Sequence, residues 1–122
     1  MRGTILFCEK AHCHDDTGRY SLLGIFTSLE ADQFPFWHTF TLWVWLAGGK
    51  ESGRLAVIVD KDDEEAWFTY LDEQQIDFEG RTERFVALLA HRFCFPRPGT
   101  FRFRIEWNGT AIAEQWMSVT KT

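Results

Sequence analysis

Apolar and polar residues alternate with a period of two along much of this chain, and no segment carries a strong helical period. Residues 101–107 show it best: Phe101, Phe103, Ile105 and Trp107 alternate with Arg102, Arg104 and Glu106, which predicts a strand with one buried face. Asn108-Gly109 follows, the preferred two-residue hairpin turn because both positions tolerate φ > 0, and TAIAEQWMSVT returns as the partner strand. In the simplest register Phe101 faces Trp116, Ile105 faces Ile112 and Phe103 faces Glu114. A carboxylate on an apolar face needs a partner, a rim position or a bulge; a bulge or a rim position is the expectation.

The remaining segments read the same way. ILFCEKAHC and YSLLGIFTS flank the hairpin-like turn HDDTGR, and SLEADQFP leads into a long strand over 36–47. GGKESG turns that strand into LAVIVD, and KDDEE leads to AWFTYL. Residues 72–83 are polar and mixed, which predicts a loop or a short helical turn. RFVALLAHRFCF and PRPG then precede the last hairpin. Seven or eight short strands without a strong helix predict an all-β chain, an antiparallel two-sheet β-sandwich forming a single domain over 1–122.

Strand 36–47 departs from the alternation. Phe40, Leu42, Val44 and Leu46 form a face for the core, yet the opposite face reads Thr39, Thr41, Trp43 and Trp45. Three covers suit it. A loop or short helix from 28–35 or 72–83 folds over it; a second chain or protein partner buries it; or the indoles stack on a sugar or other flat ligand. If the face is open, Trp43→Ala and Trp45→Ala leave the melting temperature nearly unchanged and abolish association or ligand binding; a large loss of stability marks an internal cover. Phe36 and Trp37 precede the strand proper, and the pattern does not fix their direction.

Composition narrows the class. At 122 residues with 45% hydrophobic and 16% aromatic content and three prolines, the chain is globular and long enough for one core. A net charge of −5 disfavours general nucleic-acid binding. The charge is uneven: residues 60–79 hold nine acids against Lys61, a local net of −8, whereas 81–104 hold six arginines against Glu83, a local net of +5. Arg102 and Arg104 lie on the polar face of the last hairpin beside phenylalanines, a composition common at interfaces and equally that of a solvated outer face. Ile5 to Cys8 is too short a run for a secretory signal, and no apolar run approaches the roughly 18 residues that span a bilayer, so the chain reads as cytoplasmic with no membrane contact. Three cysteines, Cys8, Cys13 and Cys94, make a poor disulfide framework. Asn108-Gly109-Thr110 matches a glycosylation acceptor but reads as a turn.

Candidate chemistry is sparse. Cys8, His12, Cys13 and His14 suggest zinc, but on one strand Cys13 points away from the other three, and a tetrahedron needs a second element. Asp60, Asp62, Asp63, Glu64 and Glu65 form an acidic turn of the kind that binds calcium when carboxylates converge. In a simple meander Asp15 and Asp16 lie at the opposite end, so no convergence is expected, and neither metal nor cofactor is assigned. There is no nucleophile elbow, phosphate loop or His-Glu-x-x-His motif, and His91 and Cys94, three apart on a strand, fall on opposite faces.

The ending FPRPGTFRFRIEWNGTAIAEQWMSV, residues 95–119, resembles the C-terminus of a family of small uncharacterised bacterial proteins: Phe-Pro-x-Pro-Gly-x-aromatic-x-Phe, a strand, an Asp/Asn-Gly turn and a last strand. ILFCEKA, LLGIFT and VIVDKDDEEA are similar to the corresponding parts of that family. The resemblance implies a compact β-sandwich, immunoglobulin-like or C2-like, of unknown function, and it supplies no catalytic residue. That family's third strand is usually less aromatic, so the tryptophans serve something particular to this chain. The expectation is a non-enzymatic module that binds a protein partner or its own copy through Trp43, Trp45, Thr39 and Thr41, then through Arg102 and Arg104. The competing expectation is a small-ligand or carbohydrate-binding sandwich with Trp43 and Trp45 as platform.

Overall fold

The computed structural model describes residues 1–49 and 51–122, apart from the side chains of Leu89 and His91. The turn expected over GGKESG includes Lys50, and the expected opposition of His91 and Cys94 turns on the His91 side chain; both lie outside what is described. The strands are β1 (Arg2–Cys13), β2 (Tyr20–Phe26), β3 (Ser28–Ala31), β4 (Phe36–Ala47), β5 (Gly53–Lys61), β6 (Glu64–Ile76), β7 (Glu83–Phe95), β8 (Gly99–Trp107) and β9 (Thr110–Lys121). They form a four-stranded sheet in the order β2-β1-β4-β7 and a five-stranded sheet in the order β3-β9-β8-β5-β6. Every pairing is antiparallel except β3 with β9.

The all-β class and the mostly antiparallel two-sheet arrangement agree with the sequence pattern, but there are more strands than the seven or eight expected. β3 lies inside the connection SLEADQFP; four residues are too few to show a period, and its pairing with β9 is a tertiary event. β6 runs through the polar stretch to Ile76 where a loop or helical turn was expected, because an outer strand needs no apolar period. The chain is also no meander: it passes between the sheets from β2 to β3, β3 to β4, β4 to β5, β6 to β7 and β7 to β8.

The last hairpin turns at Asn108 (φ 50°) and Gly109 (φ 82°). A bulge between Ile105 and Glu106 then shifts the simple register by one residue. Phe101 pairs with Met117, Ile105 with Ala113 and Arg104 with Glu114, so the carboxylate moves from the apolar face to an arginine.

Between the sheets Phe40, Leu42, Val44 and Leu46 of β4 are fully buried, as are Phe101, Phe103 and Ile105 of β8. Phenylalanines dominate the contact, with Phe7 edge-on to Phe103 at 4.9 Å and Phe95 edge-on to Phe101 at 5.1 Å. β6 and β7 are the outer strands of their sheets and consecutive in the chain, so they flank one seam of this core. At its 76–83 end the seam is plugged by buried Ile76 and Phe78, the latter edge-on to Trp107 at 5.7 Å.

Candidate binding cleft

At the other end the seam opens into a cleft of about 830 Å³. Trp67, Phe68 and Tyr70 of β6 form one wall, Leu88 and Phe93 of β7 the other, and Trp37 of β4 stands at the rim. Phe93 joins the cleft to the core, its ring centroid 5.5 Å from that of Phe68 and 5.8 Å from that of Phe103. Trp37 is 51% exposed and Phe68 44%, large apolar areas to leave open in a small domain.

Both flanking strands are irregular. Ala66 (φ 50°), Glu73 (φ 34°) and Arg92 (φ 53°) adopt the left-handed region without being glycine. On β7 two residues oppose Thr39, and the Arg92 N–H donates to Thr39 Oγ1 at 3.1 Å. On β6 the Ala66 N–H donates to Asp60 Oδ1 at 2.7 Å. Such bulges stop an edge from pairing with another chain and re-aim side chains. Here they bring both Trp67 and Phe68, neighbours in sequence, against Phe93.

The cleft is electrostatically one-sided. Arg92 is the only charged residue among the described ones lining it, and its guanidinium lies over the Trp37 ring at 5.5 Å. The Lys61 ammonium lies over Trp67 at 5.6 Å, in a residue only 3% exposed. Among the described residues neither cation joins an ion pair. Burial pushes the Tyr70 hydroxyl up to about 12.

The residues singled out from sequence are placed differently. Trp43 stacks on Phe85 at 5.4 Å, and Tyr20 meets it edge-on at 6.4 Å. Its Nε1 is buried without a partner among the described residues. The cover comes from the tip of the β1–β2 ribbon, not from 28–35 or 72–83. Gly24 (φ 66°) interrupts the β1–β2 ladder opposite Glu9, and beyond it residues 13–20 face 80–85 across a groove. Trp45 is half-buried and its Nε1 donates to Glu83 Oε2 at 2.8 Å, the one contribution of the 72–83 stretch. Thr41 is buried, and Thr39 holds the β7 bulge.

Arg102 and Arg104 both bind Asp60, and Arg102 also lies over Trp116 at 5.4 Å. Cys8 is buried with its thiol toward the Thr41 carbonyl, and burial followed by the Glu9 charge pushes that thiol up. His12 and His14 meet edge-on at 4.7 Å, and His14 is bonded to Ser21. Among the described residues no three His, Cys, Asp or Glu side chains gather as metal ligands. In the acidic turn Asp62 accepts the Thr100 N–H at 3.0 Å.

The sequence pattern did not mark the cleft: the direction of Trp37 was left open, and Trp67 and Phe68 look like ordinary strand aromatics. The signal available was the doublet Trp67-Phe68, which no period-two strand can bury on one face.

The sequence profile of a family of unknown function matches residues 3–120. The chain belongs to the family DUF6941. That match spans both sheets and every strand flanking the cleft, so the cleft is part of the DUF6941 domain and not an appendage to it. No curated protein matches the sequence.

Proposed function

We propose that this DUF6941 domain is a non-enzymatic binding module, a sandwich of immunoglobulin-like or C2-like type, whose working surface is the β6–β7 cleft and whose ligand is apolar. The observation that carries the reading is a ligand-sized cavity with aromatic walls at the open end of the seam. Its volume of about 830 Å³ falls within the roughly 300–1,000 Å³ of small-molecule sites. The walls offer few hydrogen-bonding groups, which favours an apolar body over a sugar. The test is titration with the uncharged dye Nile red. Fluorescence enhancement is expected with the wild type and is lost in Phe68→Ala and Trp37→Ala, with unchanged far-ultraviolet dichroism; undiminished enhancement in both variants overturns the reading.

A second reading, self-association, is favoured by β2. This outer strand, YSLLGIF, has no charge and no proline, and it exposes Leu23 at 62% and Ile25 at 56%. The other outer strands are either short, like β3, or charged and bulged, like β6 and β7. Light scattering after size exclusion tests it: a wild-type dimer that becomes a folded monomer in Leu23→Lys/Ile25→Lys supports it, and a wild-type monomer sinks it. The Trp43/Trp45 and Arg102/Arg104 faces are less favoured contacts, because the Trp43 ring already packs against Tyr20 and Phe85, Trp45 donates to Glu83 and both arginines bind Asp60.

A further inference from the structure

We infer that the cleft takes an amphipathic carboxylate, a small molecule with a flat or aliphatic apolar body and one anionic end. The inference rests on the reading of the cleft as a ligand site and adds the charge of the ligand. The walls from Trp67, Phe68, Tyr70 and Phe93 suit the body. The anionic end follows from what the mouth presents. Arg92 is held by its stacking on Trp37, and an arginine fork matches a carboxylate with two parallel hydrogen bonds.

Lys61 is the independent observation. Its side chain comes off β5 toward the interior and leaves the ammonium over Trp67, in a nearly inaccessible residue. Glu64 is its cross-strand partner, yet among the described residues the ammonium forms no ion pair. So placed, it raises the electrostatic potential on the Trp67 side of the cleft, and an anion there lowers the cost of its burial. No aspartate or glutamate among the described residues lines the cleft, although β6 carries Glu64, Glu65, Asp72 and Glu73. Arg97 follows directly on the lining residue Pro96. A cationic ligand is disfavoured by the same groups, and a neutral one leaves them unused. The local excess of arginine in 81–104, within a chain of net charge −5, thus acquires a role.

The experiment is isothermal titration calorimetry of the full chain with 2-naphthoate and with its uncharged counterpart 2-naphthalenemethanol. The naphthoate is expected to bind about tenfold more tightly, ~1.4 kcal/mol, and the preference shrinks as salt is raised. Arg92→Gln is expected to erase the preference by weakening naphthoate binding about tenfold more than binding of the alcohol. Arg92→Asn, better suited to the left-handed backbone at this position, serves if the glutamine variant does not fold. Equal affinities in the wild type overturn the carboxylate and leave the apolar cleft standing. Binding of neither ligand overturns both. A preference that survives loss of the arginine, or binding undiminished in Phe68→Ala, overturns the assignment to this cleft.

Discussion

Arg104 grips Asp60 with one edge of its guanidinium: Nε donates to Oδ2 at 2.6 Å and Nη2 donates to Oδ1 at 3.0 Å. Arg102 adds a bond from Nε to Oδ2 at 2.8 Å, and the Ala66 N–H completes the set. The network ties the outer face of β8 to the end of β5, next to the bulge that opens the cleft.

Burial alone would raise the Asp60 pKa. The bonds from Arg104, Ala66 and Arg102 outweigh it and hold the carboxyl down at about 2, against an ordinary 3.8. A carboxyl depressed on folding contributes stability above its unfolded pKa and loses it as pH falls through the folded value. Chemical denaturation should therefore show about 2 kcal/mol disappearing as pH falls from about 4 to about 2. Asp60→Asn should remove this pH dependence and cost about 3 kcal/mol at neutral pH, since two arginines lose their shared anion.

Trp43→Ala should destabilise by about 3 kcal/mol, because the ring lies between Tyr20 and Phe85. Trp43→Phe should be far milder, since the buried indole N–H has no partner among the described residues to lose. Thermal melts of the two variants decide it; an unchanged melting temperature for the alanine variant would return this face to the list of open surfaces.

Gly24→Ala should cost more than about 1 kcal/mol. The residue sits at φ 66°, and a Cβ there would come within 2.7 Å of Glu9 Cγ. Because the β1–β2 ladder is interrupted at this point, the substitution should also loosen the tip over Trp43. A red shift in tryptophan emission accompanying the lost stability is the expected signature.

The cleft and the core meet at Phe93, and two substitutions separate them. Phe68→Ala should cost about 1 kcal/mol or less, as that ring is largely exposed. Phe93→Ala should cost about 3–5 kcal/mol, as it empties a site packed against Phe40, Phe95 and Phe103. Urea titrations of both variants measure the contrast; a large loss in Phe68→Ala would make this ring structural.

The strands were legible wherever local pattern and local turn chemistry suffice. Phe40 to Leu46 face the core as their alternation requires, and Asn108-Gly109 turns where it should. The Glu114 anomaly left a bulge or a rim position as the expectation, and a bulge between Ile105 and Glu106 is what occurs. β3 and the end of β6 were not legible, since neither needs an apolar period to pair.

By itself, the sequence determined most of the strands and the face those turn inward, because alternation is a property of neighbouring residues. It also determined an excess of aromatic side chains over what one core face can hold. Which aromatics stay open was decided only in three dimensions. Tyr20, at the tip of the β1–β2 ribbon, covers Trp43, whereas the order of strands leaves β6 and β7 unpaired along one seam and Trp37 and Phe68 at its mouth. Exposure depends on contacts between residues distant in the chain, and no local pattern encodes them.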